Sequence, residues 1–369
     1  MKLATLGNAS VVHTQRWVAH FRARGHDVRL FSLEPGEAAA GASATAASAR
    51  NAFVRLPALA LPGALRYPLA VPRLRRELAA FAPDVVDAHY VPNYGWIGAL
   101  AGRRPLSIAA WGSDLLLAAG RNPWQRARAR FALSRASLVL CDAENLAAAA
   151  RRAGADPAVV RAIPWGVDRR LFQGGPARER GLLLSTRMHE DIYDLPTVIE
   201  AAARVLATRP ESRLVVAGDG SRRRELERLA AARLPSGRHR FTGRLSAPEL
   251  AAWLARAEIY VSASRSDSTS LSLLEAMAAG ALPVVSDIEG NREWVAEGDG
   301  AWLFAPGDAA GMAAAIERAL ADPARAQVAR ARNAAVIAAR GDWHANLARI
   351  ESCFAALATG HPLPPGDRA

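Results

Sequence analysis

Short apolar runs recur along the chain, and the segments between them repeat their apolar residues every three or four positions. In the first half the runs are Leu3 to Leu6, Val28 to Ser32, Val85 to Ala88, Ser107 to Ala110, Leu138 to Leu140 and Val159 to Ile163. Strands that alternate with helix-length intervals form parallel βαβ units, because a parallel pair needs a long crossover. The first unit is the clearest. Gly7-Asn8-Ala9-Ser10 follows a strand and precedes a helical segment from Val11 to Arg24 that stops at Gly25. A glycine turn there lets backbone approach a ligand closely, although the full G-x-G-x-x-G spacing is absent.

Pro164-Trp165-Gly166-Val167-Asp168 and Gln173-Gly174-Gly175-Pro176 interrupt the alternation and read as a connection. A second series follows, with strands Leu182 to Thr186, Leu214 to Ala217, Arg240 to Thr242, Ile259 to Val261 and Leu282 to Val285. Its helices are Leu195 to Ala207, Arg222 to Ala232 and Ala247 to Arg256; helical segments Ala309 to Arg340 and Trp343 to Leu357 close the chain before a Pro-rich tail. The pattern predicts an α/β protein of two Rossmann-like domains: 1–168, a linker 169–180, a second domain 181–340, and a final helix and tail 341–369. Ligands of open α/β sheets bind beyond the carboxyl ends of the strands, which predicts a cleft that both domains face.

Composition narrows the class. Of 369 residues 51% are hydrophobic and 22% charged, which excludes a disordered chain and leaves room for two cores. No apolar run reaches the ~18 residues a membrane helix needs, and no signal-peptide pattern precedes the first strand, so a cytoplasmic protein is expected. Cys141 and Cys353 are too few for a disulfide framework and too far apart for a metal motif. Charge is distributed unevenly. Met1 to Asp168 holds 21 Lys or Arg against 11 Asp or Glu, a surplus of ten within a net charge of +12. Arg66, Arg73, Arg75 and Arg76 form one basic group, and Arg121, Arg126, Arg128 and Arg130 accompany Trp124 in another. Helical spacing is expected to bring the last three arginines together on a solvated face. Such groups suit an acidic partner, and peripheral contact with an anionic membrane on the cytoplasmic face is the expectation; no motif supports nucleic acid.

The most informative stretch is Asp267-Ser-Thr-Ser-Leu-Ser-Leu-Leu-Glu275-Ala-Met-Ala-Ala-Gly280, followed by Pro283-Val-Val. It predicts a loop, then a helix that opens on a Ser272-x-x-Glu275 capping box and ends at Gly280, then a strand. Two carboxylates then flank one helix N-terminus, where backbone N–H groups suit phosphate and acidic side chains suit sugar hydroxyls.

An acid, seven residues and Glu-Ala-Met-Ala-x-Gly-x-Pro-Val-Val resembles the E-x7-E signature of retaining GT-B glycosyltransferases of family 4, with Asp267 where the family usually has Glu. The resemblance covers nearly the whole chain. It implies a GT-B fold, a nucleoside-diphosphate sugar as donor substrate, no cofactor and no metal, and a final helix that returns to the first domain. By resemblance Asp267 and Arg187 are catalytic, Arg187 on the diphosphate; Glu275 faces the ribose, and Gly7, Gly218, Gly243, Arg244, Ser270, Leu271 and Ser272 line the donor. His89, in Asp87-Ala88-His89-Tyr90, matches a family histidine motif and is read as a further catalytic residue, while His13 lies in the first turn of the first helix. Two departures stand out. Trp111-Gly112-Ser113-Asp114 carries Trp where relatives carry a donor-contacting His, and Tyr193 falls where they carry a second phosphate-binding cation, so Tyr193→Lys is expected to raise activity. The acceptor is expected to be a glycan, a lipid-linked sugar or a small molecule. A GT-B epimerase or hydrolase, or a catalytically silent sugar-nucleotide binding subunit, remains open beside transfer.

Overall fold

Apolar runs and intervening helices assemble, in the computed structural model, into two parallel seven-stranded sheets. The structure describes residues 1–36, 52–58, 66–118 and 122–366. Arg121, one of the basic residues noted above, lies outside them.

The first sheet comprises β1 (Lys2–Leu6), β2 (Asp27–Ser32), β3 (Phe53–Arg55), β4 (Val85–His89), β5 (Leu106–Ala109), β6 (Leu138–Cys141) and β7 (Val160–Ala162), in the order β3-β2-β1-β4-β5-β6-β7. The second comprises β8 (Glu179–Ser185), β9 (Arg213–Ala217), β10 (His239–Gly243), β11 (Ala257–Ser262), β12 (Leu282–Ser286), β13 (Ala296–Glu297) and β14 (Gly300–Phe304), in the order β10-β9-β8-β11-β12-β14-β13. Both orders reverse direction once. The reversal lies between β1 and β4 in one sheet and between β8 and β11 in the other, and an open α/β sheet leaves its ligand crevice at that point.

Burial explains why the strands read as unbroken apolar runs. In β11, Ile259 and Val261 enter the core on one face and Tyr260 the core on the other, each at most 1% exposed. Helices cover both faces, so neither face is open to water and a polar strand residue such as Asp87 is buried with hydrogen-bond partners.

Expected and observed elements differ in instructive places. β3, β13 and β14 were not anticipated, being runs of three, two and five residues. The segment expected as one helix from Ala309 to Arg340 is two, Ala309–Ala321 and Pro323–Arg340. Asp322 ends the first and caps the second by accepting from the Arg325 N–H at 2.9 Å, with Pro323 in the first turn. A cap residue followed by proline restarts a helix rather than continuing it.

The chain divides into two compact units, Met1–Ile163 with Ala348–Ala369, and Pro164–Leu347. Within the second unit the entering and leaving segments lie side by side: the Val167 N–H donates to Gly341 O at 2.8 Å, and the Trp343 N–H to Val167 O at 3.0 Å. Gly166 makes this approach feasible. It has φ +75, and a Cβ there would stand 2.5 Å from Gly341 O.

Gly166→Ala is therefore expected to cost at least about 2 kcal/mol, from a disfavoured left-handed backbone plus a clash with main chain. Gly25→Ala provides the control, since φ is +85 there but nothing lies within 4 Å; it should cost only about 1 kcal/mol. Denaturant unfolding of both variants measures the difference, and equal losses would mean that the Gly341 contact yields freely.

Candidate functional site

At the reversal point of the second sheet, the loops after β8 and β11 meet through one guanidinium. Arg187, two residues past β8, is 7% exposed. Its Nη1 donates to Ser270 Oγ and Ser272 Oγ, both at 2.7 Å, and its Nη2 donates to Asp267 Oδ2 at 2.7 Å. The Tyr193 ring stacks against it with the guanidinium carbon 4.0 Å from the ring centre. Tyr260, from within β11, donates its hydroxyl to Ser272 Oγ at 2.9 Å. Burial opposes charge on Arg187, but Asp267 and the two tyrosines outweigh it and its pKa lies above the ordinary value. Burial likewise pushes the Asp267 carboxyl upward against the pull of Arg187.

These contacts correct two expectations. Ser270, not Ser272, caps the Leu271–Ala279 helix, its Oγ accepting from the Leu273 N–H at 3.4 Å. Ser272 is inside the helix with its hydroxyl committed to Arg187 and Tyr260, so no Ser272–Glu275 box forms. The same four-residue pattern does close a box at Ser246, where the Ser246 N–H donates to Glu249 Oε2 at 2.8 Å. Tyr193, read as a lost cation, instead holds the cation that remains. A lysine at 193 would bring a like charge against Arg187, which reverses the gain expected from that substitution.

Glycines let the neighbouring loops close on this centre. Gly218, after β9, has φ +121, and a Cβ there would stand 2.8 Å from Arg187 O; its N–H donates to Gly243 O at 2.8 Å. Gly243, at the end of β10, has φ +75. Arg244 follows it, exposed. Leu271 and Ser272 present the first N–H groups of the helix, which have no acceptor within it, and half-buried Glu275 lies one turn on along the face they share. All the residues expected at the donor in this half of the chain therefore gather at the carboxyl ends of β8 to β11. His189 was missed. It is fully buried, edge-on to Phe241 with ring centres 5.7 Å apart, and neither ring nitrogen has a hydrogen-bond partner. Burial lowers its pKa. Tyr260 was also missed, because a tyrosine in an apolar strand looks like packing until its hydroxyl is placed.

The first sheet builds a different centre at its own reversal point. Gly7 ends the β1 turn, where a Cβ would press on Thr14 at 3.0 Å and lie 3.6 Å from the His89 side chain. His89 is 3% exposed. Its Nε2 shares a 2.9 Å hydrogen bond with Asp87 Oδ2, which also accepts from Trp17 Nε1 at 2.9 Å. Trp111 lies between two imidazoles, 5.4 Å from His89 and 5.6 Å from His13 between ring centres. His89, expected to be catalytic, is packed against Trp111 and tied to Asp87, with almost no exposed surface. Burial, aided by Arg16, lowers the His13 pKa to about 4. Asp114 accounts for the rest of the Trp111-Gly112-Ser113-Asp114 motif. Fully buried, its carboxylate accepts from the N–H groups of Trp111, Leu115 and Val91 at 2.9 to 3.1 Å, and burial raises its pKa to about 6.

Comparison with known proteins places both halves in related families. The glycosyl transferases group 1 model matches residues 173–336, and the glycosyl transferase 4-like model matches residues 2–143. The chain is 31% identical over 240 residues to the glycogen synthase of Mycobacterium tuberculosis, covering 63% of this chain and 52% of that protein. It is 28% identical over 355 residues to the D-inositol 3-phosphate glycosyltransferase of Pseudarthrobacter chlorophenolicus, covering 84% and 80%. The chain thus spans about half the length of the glycogen synthases it matches. Among solved structures, Anabaena HepE in complex with UDP-glucose aligns over 97% of this chain and 100% of that one, with a TM-score of 0.79 and 17% identity.

Removing one member of the Arg187–Asp267 pair leaves the other charged and buried, whereas removing both does not. Arg187→Met and Asp267→Asn should each cost about 3 kcal/mol, and the double variant distinctly less than their sum. Unfolding free energies around that cycle measure the coupling; strict additivity would show that the two side chains do not depend on each other.

Proposed function

We propose, for a chain that belongs to the group 1 glycosyltransferases and has their two-domain α/β GT-B fold, transfer of a sugar from a nucleoside-diphosphate sugar to an acceptor hydroxyl with retention of anomeric configuration. The observation that carries this reading is the gathering of Arg187, Asp267 and the N-terminus of the Leu271–Ala279 helix at one sheet reversal. A leaving diphosphate needs cations and N–H donors, and both stand there without a metal in the reaction. Arg187 faces the diphosphate, Leu271 and Ser272 offer main-chain N–H groups to it, and Glu275 accepts from the ribose. Asp267 orients the guanidinium and faces the sugar. The acceptor hydroxyl gives its proton to the departing phosphate, so His89 needs no role as base. Similarity to a protein solved with UDP-glucose and to an inositol phosphate glycosyltransferase supports a sugar nucleotide as donor and a polar, hydroxyl-rich acceptor.

A thermal-shift screen over uridine, guanosine and adenosine diphosphate sugars should show one base stabilising the protein, since a ligand of the folded form alone raises its stability by mass action. With that donor, Arg187→Ala should lower kcat/KM by roughly tenfold to a hundredfold through loss of a charged hydrogen bond. EDTA should leave the rate unchanged, and NMR of the product should show the donor's anomeric configuration. Inversion, or a strict requirement for Mg²⁺, would sink the mechanism; sugar returned on the nucleotide would identify an epimerase instead. Binding of donor without turnover or hydrolysis would leave a silent binding subunit.

The acceptor is proposed to be lipid-linked or a cell-surface glycan, met at an anionic membrane. Leu69 and Trp124, 49% and 55% exposed, stand beside the basic segments of the first unit, and Arg73, Arg76, Arg126 and Arg130 face outward. Among the described residues no helix is long and apolar enough to cross a membrane. Each basic residue near an anionic surface contributes about 1 kcal/mol. Co-sedimentation with anionic vesicles should therefore occur at low salt and fade as salt rises; no binding at low salt would favour an acceptor in solution.

A further inference from the structure

Arg128 departs from the solvated basic face expected of its segment. On the Pro123–Leu133 helix, Arg126 and Arg130 are exposed, but residues two apart point to different sides, and Arg128 turns inward to 2% exposure. There its guanidinium meets no carboxylate among the described residues. Nη1 donates to Gln125 Oε1 at 3.2 Å and Nη2 to Asn93 Oδ1 at 3.3 Å, while Nε has no partner. The guanidinium carbon lies 4.5 Å from the Trp96 ring centre and 5.9 Å from that of Tyr67. Every one of these neighbours is neutral. Long amide contacts and aromatic faces return only part of the hydration that a buried cation gives up.

The nearby ion pair does not offset this charge. Arg66 approaches the same Tyr67 ring at 5.7 Å and pairs with Glu34 Oε1 at 2.8 Å, and Glu34 also accepts from the Tyr94 hydroxyl. Of the two guanidiniums around this tyrosine, Arg66 has a carboxylate partner and Arg128, among the described residues, has none. Asn93 belongs to a π-helical turn, Tyr90–Gly95, directly after β4, and the turn opens with Tyr90 at φ +74. A bulky residue in the left-handed region is costly, and π turns and such outliers concentrate where ligands bind.

We propose that Arg128 anchors an oxyanion site in the first unit, its natural occupant a phosphate or phosphate monoester. The amide oxygens of Gln125 and Asn93 occupy the two Nη positions that a phosphate takes as a fork. Gln125 lies toward the helix surface, so displacement of its side chain admits the anion, whose charge then balances Arg128. The site is separate from the Arg187 centre and does not rest on the donor reading.

Hydrogen–deuterium exchange of the full chain, followed by mass spectrometry, tests it. Parallel arms contain inorganic phosphate, methyl phosphate, and chloride at matched ionic strength. Phosphate should slow exchange in residues 90–96 and 122–130 of the wild type, and protection by methyl phosphate as well would identify an esterified ligand. Arg128→Met should keep the wild-type melting temperature or raise it, since it removes an unpaired buried charge, and should bind phosphate about tenfold more weakly or worse in these segments. Absence of phosphate-dependent protection there, or equal protection in Arg128→Met, would overturn the proposal. An Arg128→Met chain that melts far below wild type would also overturn it, by assigning the guanidinium to holding the fold.

Discussion

One guanidinium organises the second unit's functional end. Arg187 is nearly enclosed, and its hydrogen bonds reach a carboxylate and two hydroxyls that belong to another loop and to the first turn of a helix. Hydrogen bonds to a charged group are individually among the stronger ones, and here they act in parallel with the Arg265–Asp194 ion pair, at 2.8 Å, that joins the same two loops. The helix start, the β11 loop and the β8 loop are therefore fixed by a common partner. Because Tyr260 reaches the same Ser272 hydroxyl from inside a core strand, the polar centre is keyed to the apolar packing beneath it. The resulting end of the sheet is rigid and charged before any ligand arrives, which is the arrangement electrostatic stabilisation of a leaving group requires.

The first unit reaches order at its reversal point by the opposite chemistry. Burial drives the pKa of His13 down to about 4 and that of Asp114 up to about 6. Asp114 spends its oxygens on three backbone N–H groups of two loops, and Asp87 spends one on both His89 and Trp17. What these acids organise is an aromatic layer of His13, Trp111 and His89. Replacement of an imidazole by Trp111 therefore does not collapse the loop, since the glycine and aspartate that shape it are retained and work through the main chain.

The architecture was legible because parallel strands buried on both faces must be apolar throughout, and helices between them must show a 3.6 period; Ala247–Arg256 emerged with the bounds its pattern suggested. Clustering of Asp267, Arg187, Ser270 and Ser272 was legible only as a motif at strand ends. Which serine capped the helix was not legible, because S-x-x-E occurs three times, at Ser246, Ser272 and Ser286, and only tertiary partners distinguish the copies: at Ser246 the box faces solvent, whereas Ser272 is drawn away by Arg187 and Ser286 donates to Ser264 O. Arg128 was misplaced, and the burial of His89 was not foreseen, for one reason. A polar residue reads as exposed or reactive from sequence, and only packing reveals that it lies inside. Tyr193 was misjudged differently, as an absent charge, when its ring face supplies an attraction that no charge count includes.

Asp267 in place of the longer glutamate follows from the same enclosure. The carboxylate meets Arg187 Nη2 at 2.7 Å and its side chain is 17% exposed, so little space remains between the loop and the guanidinium. Gly290 tightens it further, since a Cβ there would lie 2.0 Å from Ser268 O, and the main chain of the loop cannot retreat in that direction. A longer acid would have to extend past the guanidinium instead of meeting it end on. The shorter side chain thus gives up reach for a well-aligned pair with Arg187. On the function proposed above, that trade places the acid's influence on the sugar partly through Arg187, and it makes the aspartate and the stacked tyrosine parts of one adjustment rather than separate losses.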